Sequence, residues 1–65
     1  MKTWEEFEKL WNKAKAKNGC DPVRITDNNG VLTADAWSYH GSCLHLYRDG
    51  EIKAIMNLKV VKRVE

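Results

Sequence analysis

Asn29-Gly30 and Asp49-Gly50 constrain this chain more tightly than any other feature of it. Both dipeptides tolerate the positive φ angles of a two-residue type I′ hairpin, so each marks a chain reversal and suggests which residues of the flanking strands sit opposite each other. With Asn29-Gly30 at a tip, Arg24 faces Asp35 and Thr26 faces Thr33 on one side, while Val23 faces Ala36 and Ile25 faces Ala34 on the other. With Asp49-Gly50 at a tip, Arg48 faces Glu51, Tyr47 faces Ile52, Leu46 faces Lys53, His45 faces Ala54, Leu44 faces Ile55 and Cys43 faces Met56. An ion pair, a threonine pair and matched apolar pairs are what favourable registers produce.

Upstream of the hairpins the period changes from two to 3.6. Thr3 followed by Glu6 is a capping box, and Trp4, Phe7, Leu10, Trp11 and Ala14 recur at spacings of three and four, which predicts a helix over residues 3–17 ended by Asn18-Gly19. Glu5, Glu6 and Glu8 lie near its start and Lys13, Lys15 and Lys17 near its end, complementing the helix dipole. Its aromatic face requires a sheet to cover it.

Between the hairpins, a tight turn on His40-Gly41 places Ala36 opposite His45 and Trp37 opposite Leu44. One sheet face then carries Val23, Ile25, Leu32, Ala34, Ala36, Cys43, His45, Tyr47, Ile52, Ala54, Met56 and Leu58. Small residues at positions 34, 36 and 54 complement the large helix aromatics, so the helix is expected on this face. The segment Glu51–Glu65 is long for one strand, and Lys59–Val64 supplies a short fifth strand if it breaks. The expected fold is α+β: an N-terminal helix packed on a twisted antiparallel sheet of four strands, or five, in the order α-β-β-β-β, in one domain over residues 1–65.

Such a chain buries only about 60% of its unfolded surface, which leaves little room for a deep active site. A 43% hydrophobic and 31% charged composition with one proline belongs to a folded chain. The formal charge of +2 comes from 11 basic and 9 acidic residues that are interspersed, unlike the basic stripe of a duplex-binding protein. No long apolar run precedes the helix, so neither a signal peptide nor a membrane span is expected, and the compartment that follows is the cytoplasm. Two cysteines, Cys20 and Cys43, are too few for a disulfide framework and are expected to be free thiols.

The sheet face opposite the helix collects Trp37, Leu44, Leu46 and Ile55, rimmed by charged residues that include Arg24 and Lys53. An apolar centre holding a tryptophan within a charged rim is the anatomy of a protein interface. The expectation is therefore a non-catalytic protein-binding module, acting on a protein partner or on a second copy of itself. An inhibitor or adaptor of the phage or mobile-element type is the analogy. The alternative fold closes the sheet into a small Sm/SH3-like barrel whose interior takes up the same side chains.

A short N-terminal helix, then Val23-x-Ile25, Asn29-Gly30, a long small-residue strand and Leu44-x-Leu46, resembles the start of the Sm-like small barrels over residues 5–60. The resemblance implies a barrel that assembles into rings and binds RNA. The family's second motif, whose polar and basic residues contact RNA, has no counterpart in Ile55-Met56-Asn57-Leu58-Lys59-Val60, so none of its binding residues is assigned to this chain.

Other chemistries find weaker support. His40-x-x-Cys43-x-His45 contains two ligand types of zinc but neither a CxxC pair nor the usual histidine spacing, so no metal or cofactor is assigned. Lys53, Lys59, Lys62 and Arg63, with Trp37 and Tyr39 as a stacking platform, make single-stranded nucleic acid the alternative partner. Cys43 and His45, two residues apart on one strand, are poorly placed for proton transfer and lack an orienting third group, so no catalytic residue is expected.

Overall fold

The structure, a computed structural model, describes residues 3–65. Met1 and Lys2, part of the expected domain, lie outside the described residues. The α+β class is observed, but six strands in two sheets replace the expected four or five in one, because a bend at Asp35 divides residues 30–40 into two strands and the last segment adds a strand of its own. Helix α1 (Trp4–Asn18) precedes β1 (Val23–Asp27), β2 (Gly30–Ala34), β3 (Ala36–His40), β4 (Cys43–Arg48), β5 (Glu51–Asn57), a 3₁₀ turn (Leu58–Val60) and β6 (Arg63–Val64). All pairings are antiparallel, in the orders β2-β1-β6 and β3-β4-β5.

The helix starts and stops where its capping residues dictate. The Glu6 amide donates to Thr3 Oγ1 at 3.2 Å, and Gly19 turns the chain out with φ +64° while its N–H reaches the Lys15 carbonyl. Phe7, Trp11 and Ala14 are buried, whereas Trp4 is 42% exposed and so lies outside the face it was expected to share. The helix lies against β1 and β6. No helix among the described residues is long and apolar enough to cross a membrane.

Asp49-Gly50 turns as expected, with φ of +55° and +80°. The other two turns are each displaced by one residue. At the first, Asn28 and Asn29 occupy the tip with Asp27 opposite Gly30, because the Asp27 carboxylate accepts the Asn29 and Gly30 amides at 2.7 and 3.0 Å. That is the preference of a type I turn for Asp first and Gly last. In the middle, Gly41 and Ser42 take φ of +52° and +73°, so His40 faces Cys43, and Trp37 faces Leu46 rather than Leu44.

Two further irregularities decide which side chains go inside. A bend at Asp35 separates β2 from β3 and breaks strict alternation: Ala34 is fully buried, Ala36 is exposed, and Trp37 and Tyr39 turn to the core. Asp35 is held there by its N–H to the Tyr47 carbonyl at 2.8 Å and by its carboxylate, which accepts the Asp49 amide at 3.1 Å. In the second hairpin Lys53 is an extra residue, and beyond it Leu46 pairs with Ala54, His45 with Ile55 and Leu44 with Met56. The core is thus filled by Phe7, Trp11, Val23, Ile25, Leu44 and Leu46, with Leu58 and Val61 from the segment after β5.

The long last segment does break. The Asn57 side chain accepts the Lys59 amide at 2.9 Å and caps the 3₁₀ turn, after which β6 pairs with β1 through Ile25–Val64 and Thr26–Arg63. The amides of Lys62 and Glu65 extend that ladder onto the carbonyls of Thr26 and Arg24.

Candidate functional site

Strand β4 alternates Leu44 and Leu46 with Cys43, His45 and Tyr47, and one set must face outward. Burying a leucine side chain contributes about 1.5–3 kcal/mol, whereas a buried imidazole or phenol must find polar partners, so the leucines go in. Both are completely buried, which removes them from any binding face. Trp37 is half-buried and packs on the same core, its ring edge-on to Phe7 with centroids 4.9 Å apart. The expected exposed patch is therefore corrected: three of its four apolar members, Trp37, Leu44 and Leu46, turn to the core.

Ile55 alone stays outside, 57% exposed. Arg24 is exposed on the other sheet, opposite Thr33, and lines an open depression with Asn18, Asp21 and Pro22. Lys53, the bulge residue, pairs with Glu51 at 3.5 Å and lines a shallow groove with Val31, Leu32, Thr33 and Arg48, whose guanidinium donates to Thr33 Oγ1. The six expected binding residues are not brought together.

The outward set forms a surface of its own. Across β5, β4 and β3 the rows read Ile52–Tyr47–Ala36, Ile55–His45–Ser38 and Asn57–Cys43–His40. Ile52 is 51% exposed, and Cys43, His45 and Tyr47 are half-buried. Ser38 Oγ and the Tyr47 hydroxyl share a 2.9 Å hydrogen bond across the strands, and the rings of His40 and His45 meet at 5.3 Å. None of the nine positions carries Lys, Arg, Asp or Glu.

His45, Tyr47 and Ile52 share one face, as the Asp49-Gly50 hairpin implies, but it is the outer face and not the one the helix was expected to cover. The alternation of β4 was a usable signal, since leucines outrank His and Tyr for burial. Among the described residues no polar or charged side chain is buried, and no three His, Cys, Asp or Glu side chains converge as a metal cage. Both cysteines are free thiols, Cys20 exposed and Cys43 half-buried. No protein-family model, no curated protein and no solved structure matches the chain.

Proposed function

We propose that this chain is a small non-catalytic protein-binding module, an inhibitor or adaptor, whose docking surface is the outer face of the β3-β4-β5 sheet. The observation that carries the reading is the pair Ile52 and Ile55, 51% and 57% exposed at the β5 edge of a face with no charged residue in its nine positions. An uncharged centre with aromatic and aliphatic anchors suits a protein partner, whereas nucleic acid draws its affinity from cations placed against phosphates. The nucleic-acid alternative also loses its platform, because Trp37 and Tyr39 pack against the core.

The test introduces a charge into the face. Ile52→Glu and Ile55→Glu are expected to abolish capture of a crosslinked protein partner that survives nuclease treatment, while Val31→Glu, at a 63% exposed position of the other sheet, leaves it intact. Sedimentation alongside identifies a second copy as the partner if a concentration-dependent dimer dissolves in the same two variants. Equal binding by all three variants, or a catch removed by nuclease, would refute this reading.

A further inference from the structure

We propose that His40 and His45 form a surface chelate for a divalent late first-row transition-metal ion, with Zn²⁺ as its simplest representative. The inference is independent of protein docking, although the pair lies on the same face.

The β3–β4 turn sets the geometry. Gly41 and Ser42 both adopt positive φ, which holds His40 directly opposite Cys43 and Ser38 directly opposite His45. His40 and His45 are therefore diagonal neighbours on one face, a separation of roughly 7–8 Å in the backbone that long side chains span. Here the rings close that gap to 5.3 Å between centroids, with planes inclined at 68°.

That distance is the one a chelate requires. Two imidazoles that each place a nitrogen about 2.0–2.1 Å from one ion at a tetrahedral angle have ring centres roughly 5 Å apart. Histidine χ2 is a broad and soft torsion, so rotation about it lets the inclined rings turn nitrogens toward a common point. Imidazole is a preferred ligand of zinc, copper and nickel.

The surroundings leave the nitrogens free for such an ion. Among the described residues neither imidazole is hydrogen-bonded to the protein, and none of the nine outward positions named above carries a cationic side chain. His40 is exposed and His45 half-buried, so both are open to an ion from solvent. Because no three ligating side chains converge, two protein nitrogens hold the ion and water completes its shell.

The experiment is calorimetric titration of the tag-free full chain with zinc chloride, with the histidine ring signals followed by NMR. One ion per chain is expected, with the signals of both histidines moving together. His40→Ala and His45→Ala should each weaken binding on the order of a hundredfold, because a single imidazole keeps none of the chelate advantage. Val31→Ala, at an exposed position of the other sheet, should leave it unchanged. Absence of heat and of ring shifts, shifts confined to one histidine, or binding that survives His45→Ala would overturn the proposal. The ring signals of the wild-type chain decide the matter even if a variant fails to fold.

Discussion

The ring of Trp37 stands edge-on to the ring of Phe7, with centroids 4.9 Å apart and planes at 75°, so the first turns of the helix are joined to the third strand. Edge-to-face aromatic pairs contribute about 0.5–1.5 kcal/mol beyond their buried area. Phe7 also lies 6.0 Å from Trp11, which makes it the centre of an aromatic row.

Trp37→Ala is accordingly expected to weaken the fold, not merely a surface. Truncating a core aromatic costs about 3–5 kcal/mol, and half-buried Trp37 belongs at the lower end, which for a chain of this size lowers the melting temperature by roughly 12 °C or more. A double-mutant cycle with Phe7→Leu should return a favourable coupling between the two rings. A melting temperature equal to that of the wild type would show that Trp37 is not part of the core.

Asp27 carries the first hairpin through two hydrogen bonds, to the amides of Asn29 and Gly30. Asp27→Ala leaves both amides without this partner and should cost about 1 kcal/mol in urea denaturation, while Asp27→Asn, which keeps an acceptor oxygen, should cost less. Equal losses in the two variants would argue against the carboxylate as the organiser of this turn.

Ser42 occupies the left-handed region with φ +73°, in a turn whose other residue is Gly41. An L-residue there is strained by about 1–2 kcal/mol, partly balanced by the greater freedom that glycine brings to the unfolded chain. Ser42→Gly should therefore raise stability by roughly 0.5 kcal/mol, and Ser42→Val should lower it, both read as shifts of the urea midpoint.

The elements legible in the sequence are those specified by local chemistry. Thr3 and Gly19 bound a helix that needs no tertiary information, and Asp49-Gly50 sets Arg48 against Glu51 and Tyr47 against Ile52 as their types demand. The rest depends on single residues that interrupt period two. Asp27 draws the first turn back by one position, the bend at Asp35 reverses which residues of β3 point inward, and Lys53 adds a residue to β5. Because a one-residue slip moves every side chain to the opposite face, Asp35 and Lys53 suffice to send Leu44 and Leu46 inside and leave Ile55 outside. Neither carries a glycine or proline signature. Asp35 bends because Asp49 and Tyr47, more than ten residues away, hold it by hydrogen bonds.

Leu46 and Ile55 show what that reversal means for function. Regular alternation from the Asp49-Gly50 tip puts them on one exposed face; in the structure Leu46 is 0% exposed and Ile55 57%. Leu46→Ala opens a cavity between the two sheets and should cost about 2–5 kcal/mol, a large share of what so small a domain has. Ile55→Ser removes side-chain area that water already reaches and should change stability by no more than about 0.5 kcal/mol. Urea unfolding of the two variants provides the comparison, with the slope of each transition recorded so that changes in the unfolded state are not mistaken for changes in stability. If both variants unfold at the wild-type midpoint, the leucines of β4 do not form the core. If Ile55→Ser is as damaging as Leu46→Ala, the outer face is covered in solution, and sedimentation of the wild-type chain should then reveal a second copy seated on it.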